Sequence, residues 1–144
     1  MIKGMNHVGV SVANLDRSVE FYRDLFGMTV VVQAQFEGEQ YETILALKGA
    51  KGRVALLKLA NMQLELFEFA QPTPRPADRN RPVCDHGITH ICIEVTDIER
   101  EYERLNAAGV HFHCQPLLFI RSGNKATYGR DPDGNIFELL QKAE

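Results

Sequence analysis

The sequence predicts an α+β fold built from two similar halves of one chain. Two stretches, residues 5–12 and 88–95, alternate between β-branched apolar residues and other types and are therefore predicted to be strands. Each carries a histidine at the same position, His7 and His90, which lie 83 residues apart. A capping residue, an amphipathic helix and a glycine follow both strands. We interpret this repetition as an internal duplication.

Length and composition indicate one ordinary globular protein. The 144 residues are 44% hydrophobic and 24% charged, with a net charge of −3. This charge and the lack of a basic stripe argue against a nucleic-acid-binding protein, and no apolar run approaches the roughly 18–20 residues of a membrane span. The first strand begins near the N-terminus, which predicts no secretory signal. Three cysteines without a CxxC pair favour neither disulfides nor a zinc–thiolate site. We expect a cytoplasmic protein.

In the first half, period-two alternation predicts four strands and the 3.6-residue period predicts one helix. The strands span residues 5–12, 28–36, 53–59 and 62–69. The helix is expected over residues 15–26, with Asn14 as its N-cap and Gly27 after its end. Residues 41–47 fit a short helical turn or a strand equally well. The last two strands are predicted to form a hairpin.

A proline-rich segment separates the two halves. Four of the six prolines lie within residues 71–82, so residues 71–86 are expected to be an extended linker between modules 1–70 and 87–144. The second half repeats a strand, a helix and further strands. These elements are predicted over residues 88–95, 97–108, 110–118, 126–130 and 135–141. Asp131-Pro132-Asp133-Gly134 is expected to be the turn of the final hairpin.

Four ionisable residues are expected on one face of the strands. Helices should cover the valine and isoleucine faces, which leaves His7 and His90 on the opposite, concave face. Glu65 and Glu138 lie inside apolar strands, where a carboxylate is costly to bury unless it is paired or bound to a cation. A pseudo-two-fold arrangement of the halves would bring the four side chains together. Two imidazoles and two carboxylates suit a divalent cation.

Other residues have less specific interpretations. A single histidine at such a position is more often a core residue, but the duplication and the matching acids favour a metal site. Cys92 is expected to be a small buried apolar residue and Glu68, on the opposite face, to be solvated or ion-paired. His86, His111 and His113 are expected at the surface.

Aromatic and basic residues near these positions are candidates for substrate binding. Phe67 and Phe69 share a face with Glu65, and together with Phe119 they would supply apolar walls. Arg121 and Lys125, near the last hairpin, are candidates for anchoring an anionic substrate. The alternative for both cations is an ordinary solvated position.

At these residues the chain resembles the vicinal oxygen chelate superfamily, which includes glyoxalase I, methylmalonyl-CoA epimerase, extradiol dioxygenases, and fosfomycin- and bleomycin-resistance proteins. The resemblance is carried by Asn6-His7-Val8, Leu15-Asp16-Arg17-Ser18, Leu64-Glu65-Leu66, Thr89-His90-Ile91 and residues 131–139. It implies paired βαβββ modules that form an incomplete barrel of mostly antiparallel strands. It also implies one divalent metal (Ni, Zn, Mn, Co, Fe or Mg) held by His7, Glu65, His90 and Glu138. A small-molecule substrate that binds the metal through two oxygens and a homodimer are implied as well.

A carboxylate at Glu65 favours the glyoxalase-like lyases and isomerases over the extradiol dioxygenases, which by resemblance use two histidines and one glutamate on iron. The implied chemistry is loss of an α-proton to give a metal-stabilised enediolate. By resemblance Glu138 would be the general base and Glu65 a second base. Two alternatives remain open: an Fe(II) extradiol-type dioxygenase and a non-catalytic binding or resistance protein.

Overall fold

Two mostly antiparallel sheets with a few short helices make up the computed structural model, which describes residues 1–143. The described chain has no closed barrel. It divides into two units, Met1–Pro76 and a second that begins at Ala77, and each unit contains one of the sheets. The predicted α+β class is confirmed.

The first unit holds a four-stranded sheet in the order β1-β4-β3-β2. Its strands are β1 (Val8–Ser11), β2 (Thr29–Phe36), β3 (Lys51–Leu59) and β4 (Met62–Gln71). β1 pairs parallel with β4, and the other neighbours pair antiparallel, as expected for the hairpin β3–β4. The first and last strands of the unit therefore lie side by side.

The helices of the first unit differ in part from the prediction. α1 (Leu15–Glu20) begins after Asn14, whose side-chain oxygen accepts a hydrogen bond from the Arg17 N–H at 2.9 Å. It continues as a π-helical turn, Phe21–Leu25, so the predicted helix is present but its second part is wound more loosely. The ambiguous residues form α2 (Glu39–Leu45).

The two faces of the first sheet are buried to different extents. On the side covered by α1, alternate residues have no exposed surface: Ala55, Leu57, Leu64 and Leu66, as well as Leu15 of the helix. The other side, which we call the inner face, carries Glu65, Phe67 and Phe69, and these are only half-buried. The predicted alternation of β4 is confirmed, and the apolar core of this unit lies under α1.

The second unit holds a sheet in the order β5-β9-β8-β6, with β7 paired to β8. Its elements are β5 (Ile91–Glu94), α3 (Ile98–Ala107), β6 (His111–Phe112), β7 (Leu117–Leu118), β8 (Lys125–Arg130) and β9 (Ile136–Gln141). β5 pairs parallel with β9, which repeats the arrangement of the first unit. Asp97 caps α3 by accepting from the Arg100 N–H at 3.1 Å.

The predicted strand over residues 110–118 is wrong as one continuous element. It is two short strands, β6 and β7, which pair with separate parts of β8. Pro116 lies between them and has no N–H to donate to a ladder. Between the two strands a side chain binds the backbone instead: the Thr127 hydroxyl donates a hydrogen bond to the Cys114 carbonyl at 2.6 Å.

The segment between the sheets is held in part by the second unit. Residues 72–90 contain no helix or strand. The guanidinium of Arg130 donates to the carbonyls of Arg79 and Arg81, both at 3.0 Å. The turn that follows Arg130 forms as expected, since Asp131 accepts from the Asn135 N–H at 2.8 Å. None of the helices in residues 1–143 is long and apolar enough to cross a membrane.

Candidate metal centre

His7 and Glu65 form a pair on the inner face of the first unit. Because β1 runs parallel to β4, with Gly9 opposite Glu65, the histidine just before β1 reaches this carboxylate. His7 Nε2 lies 3.2 Å from Glu65 Oε2, with the side chains 41% and 27% exposed. His7 Nδ1 lies 2.8 Å from Asn6 Oδ1, so the asparagine side chain can fix the orientation of the ring.

His90 and Glu138 form the equivalent pair in the second unit. His90 Nε2 lies 3.1 Å from Glu138 Oε2, and the side chains are 26% and 16% exposed. The Thr89 hydroxyl lies 2.9 Å from His90 Nδ1 and can fix the orientation of the ring. The histidine ring also packs against Tyr128, with ring centroids 4.9 Å apart.

The donor chemistry of each pair fits a divalent cation, but a single pair does not complete a site. A neutral imidazole nitrogen and a carboxylate oxygen that face each other at about hydrogen-bond distance need a proton or a cation between them. Residues 1–143 contain no group of three or more His, Cys, Asp or Glu side chains that could hold a metal. Catalytic metal sites commonly use three protein ligands. Each unit offers one histidine nitrogen and one carboxylate as candidate donors.

The two carboxylates have different neighbours on their sheets. Glu138 lies between Cys92 of β5 and Tyr128 of β8, whereas Glu65 lies between Gly9 and Leu56. Partial burial, and then the nearby Glu138 carboxylate, raise the pKa of Cys92 to about 12. The pKa of Tyr128 is raised by the same two causes, with burial first.

Two of these neighbours change or extend the sequence interpretation. Cys92 is an exposed residue whose thiol is only partly covered, rather than a buried one, because β5 is an edge strand. Tyr128 was missed as a site residue. The turn at residues 131–134 sets the register that places it opposite Glu138, so the predicted hairpin already contained the signal.

Four aromatic side chains form a cluster on the inner face of the first unit. Phe67 and Phe69 are stacked with ring centroids 5.8 Å apart and planes inclined by 18°. Phe36 meets both edge-on, at 5.5 and 5.4 Å, and Tyr41 of α2 packs on Phe36 at 5.3 Å. We call Phe36, Tyr41, Phe67 and Phe69 the aromatic cluster. The sequence indicated Phe67 and Phe69, but missed Tyr41 because the type of element at residues 41–47 was left open.

The remaining candidates for substrate binding lie in the second unit. Phe119 and Arg121 are exposed in the loop between β7 and β8. Lys125 Nζ lies 2.5 Å from Glu99 Oε1 on α3, and this ammonium lowers the pKa of Glu99. Glu68 is ion-paired with Arg53, as expected, and also accepts from the Leu15 N–H at 3.1 Å. The three histidines expected at the surface, His86, His111 and His113, are exposed.

Comparison with known proteins gives a family match over most of the chain. The profile of the Glyoxalase/Bleomycin resistance protein/Dioxygenase superfamily matches residues 4–139. Metallothiol transferase FosB of Staphylococcus haemolyticus is 49% identical over 143 residues, which cover 96% of this chain and 84% of that protein. 2-epi-5-epi-valiolone epimerase of Actinomyces sp is 32% identical over 145 residues, covering 94% and 78%. A lactoylglutathione lyase of Arabidopsis thaliana is 25% identical over 137 residues, covering 94% of this chain and 43% of that protein. This chain thus spans less than half the length of the plant relative.

Solved structures share the fold. A glyoxalase family protein from Bacillus cereus superimposes with a TM-score of 0.91 at 22% identity, covering 100% of this chain and 97% of that one. The fosfomycin resistance protein FosX from Listeria monocytogenes, in complex with Mn(II) and sulfate, gives a TM-score of 0.65 at 18% identity, covering 99% and 95%. The expected resemblance is confirmed at the level of family and fold.

Proposed function

Because the chain belongs to the Glyoxalase/Bleomycin resistance protein/Dioxygenase superfamily, we propose that it is a divalent-metal-dependent enzyme with His7, Glu65, His90 and Glu138 as the metal ligands. The observation that carries this proposal is the repeated His–Glu pair, with N–O distances of 3.2 and 3.1 Å in equivalent strand positions. Each pair offers two donors. Together the pairs offer two neutral imidazoles and two carboxylates, a set of ligands suited to Ni, Zn, Mn, Co, Fe or Mg. The Mn(II) bound by the related fold of FosX supports such a site.

We further propose that the reaction is a glyoxalase-like isomerisation or lyase reaction. When bound, the metal supplies Lewis-acid polarisation of two substrate oxygens, which makes the neighbouring C–H more acidic. Glu138 removes the α-proton and returns it at the adjacent carbon, and Glu65 provides a second base from the other unit. The lyase and epimerase names of relatives support a proton-transfer reaction.

A metal-dependent thiol transferase is the second candidate, and the 49% identity with FosB favours it. In that reaction a thiol sulfur would form a bond to an electrophilic carbon, the carbon–oxygen bond would break, and the oxygen would take up the proton. In this candidate reaction the thiol would come from a small co-substrate.

Elemental analysis after metal loading and dialysis tests the site first. We expect about one equivalent of metal in the native protein and its loss from both Glu65→Ala and His90→Ala. His86→Ala, which removes an exposed histidine outside the pairs, is the matched control and should retain the metal. A native protein that binds no metal after reconstitution would overturn the proposal and leave the binding-protein alternative.

The reaction class is tested by NMR in D₂O with the loaded protein. We expect exchange of the α-proton of a methylglyoxal–glutathione hemithioacetal, lost in Glu138→Gln while metal content and circular dichroism stay native. Consumption of thiol only in the presence of fosfomycin, without α-proton exchange, would favour the transferase. Oxygen uptake with catechol on the iron-loaded protein would favour the dioxygenase.

A further inference from the structure

The inner face of the first unit has an ordered sequence of side chains along β4. Strand registers place Glu65 in one row with Gly9, Leu56 and Val32. The next row contains Phe67 with Ser11, Val54 and Ala34. The row after it contains Phe69 with Gly52 and Phe36. Two residues along a strand advance by about 7 Å. The aromatic cluster thus begins about one side-chain spacing from the His7–Glu65 pair, on the same face.

These rows carry almost no charge. Glu65 is their one ionisable side chain, and Ser11 is their one other polar side chain. The guanidinium of Arg53 belongs to the opposite face, where it contacts Asp16 at 2.9 Å and Glu68 at 2.5 Å. An anionic group placed over Phe67 and Phe69 would therefore lose its water and meet no cationic side chain within these rows. The chemistry of this surface selects an uncharged group.

The rings are also arranged as a preformed wall. Phe36 is buried and meets Phe67 and Phe69 at 76° and 79°, the edge-to-face geometry that aromatic pairs prefer. Phe67 and Phe69 remain half-buried, and Val32 is 49% exposed beside them. The open part of the wall accordingly consists of two nearly parallel rings and aliphatic groups. Tyr41 of α2 covers Phe36 at the far end of the wall.

We propose that the aromatic cluster binds an uncharged aryl or bulky apolar group of the substrate. The substrate class is then a compound whose two chelating oxygens lie next to such a group. This inference rests on the proposed function, because it takes the His7–Glu65 pair as part of the metal site.

Two hydroxamates test the proposal on the metal-loaded protein by calorimetry. Benzohydroxamate and acetohydroxamate chelate through the same pair of oxygens and differ in a phenyl against a methyl group. We expect benzohydroxamate to bind at least about tenfold more tightly, from the additional apolar area that the wall buries. In Phe67→Ala the ratio should fall to about threefold or less while the metal content is unchanged. Phe21→Ala, in the π-helical turn, is the matched control and should keep the native ratio.

The outcomes separate this inference from the proposed function. Equal affinity for the two hydroxamates in the native loaded protein would overturn the inference and leave the metal site intact. An unchanged ratio in Phe67→Ala would also overturn it. Failure of the native protein to bind metal would overturn the proposed function and this inference with it. If Phe67→Ala loses its circular dichroism signal, Phe69→Leu replaces it, since leucine keeps apolar volume without the ring, and the same fall in ratio is expected.

Discussion

Glu65 and Glu138 are equivalent in position but not in surroundings. Glycine and leucine flank Glu65 on its sheet, whereas a thiol and a phenol flank Glu138. Glu138 is also the less exposed of the two, 16% against 27%. A more desolvated carboxylate interacts more strongly with a cation than a solvated one does. The duplicated residues therefore need not have the same function, which suits a reaction with one principal base.

The thiol of Cys92 should react slowly in the metal-free protein. Its pKa of about 12 leaves little thiolate at pH 8, and the thiolate is the reactive form. In chelator-treated protein we expect iodoacetamide to label Cys92 at least about tenfold more slowly than the exposed Cys84, as measured by peptide mass spectrometry. The rate should still be rising with pH at pH 10.

Glu138→Gln is the informative control for this labelling experiment. Removing the negative charge should lower the pKa of Cys92 and speed its alkylation, while burial of the thiol persists. If Cys92 in the native apoprotein were labelled as fast as Cys84, the raised pKa of Cys92 would be contradicted.

Arg53 links three parts of the first unit at a single side chain. It donates to Glu68 of β4 and to Asp16 of α1, and Glu68 in turn accepts from the first N–H of α1. Arg53→Ala should lower the free energy of unfolding by about 1 kcal/mol, since these groups are partly exposed and solvent screens them. Urea unfolding measures the change.

Arg23 supplies the matched control. It pairs at 2.6 Å with its neighbour Asp24, and both side chains are exposed to solvent. Arg23→Ala should leave the urea midpoint unchanged. Equal effects of the two substitutions would show that the Arg53 network does not stabilise the junction of helix and sheet.

At the scale of elements, local periodicity predicted most of the fold. The strands of both hairpins, the helix cap at Asn14 and the turn at residues 131–134 follow from short-range preferences that tertiary packing does not oppose. The misassigned strand at residues 110–118 has the right alternation, but Pro116 interrupts the hydrogen-bonding ladder. α2 has no buried residue, so it lacks the apolar stripe that would have distinguished helix from strand.

Gly52 fixes how closely β3 approaches β4. It lies opposite Phe69 next to a register shift, and a Cβ at this position would overlap the carbonyl oxygen of Glu68. Gly52→Ala should therefore destabilise the protein by at least about 2 kcal/mol, because backbone rather than a flexible side chain must move. Chemical denaturation followed by circular dichroism measures the loss.

Gly9→Ala is the comparison for this prediction. Gly9 is also in the first sheet, but nothing lies within 4 Å of a Cβ built there. Its substitution should leave stability nearly unchanged. A Gly9→Ala variant as unstable as Gly52→Ala would mean that alanine itself, rather than the close approach, disfavours these strands.

At the scale of the whole molecule, sequence patterns indicated the duplication, the superfamily and the two residues of each pair. They could not reveal what surrounds the pairs. The proximity of Tyr128 to Glu138, and of Phe36 to Phe67, depends on strand register between residues distant in the sequence. The exposure of Cys92 depends on β5 being an edge strand, which is a property of the assembled sheet.

Metal bound by the four proposed ligands should stabilise the native protein. With free metal at about 100 times its Kd, preferential binding to the folded state adds about 2.7 kcal/mol, or roughly 5–10 °C in Tm. We expect EDTA to reverse this shift, and both His7→Ala and His90→Ala to abolish it in differential scanning calorimetry. A full shift in His90→Ala would mean that the first unit binds the metal without the second.

Every described strand pair is formed within one unit, and so is each His–Glu pair. The order in which the gene encodes the two units therefore does not determine the local geometry of the donors. A circularly permuted gene that begins at Ala77, with the original ends joined by a flexible linker, would preserve every ladder and both pairs. It would remove only the covalent connection between Pro76 and Ala77, so its metal content would show whether that connection matters to the site.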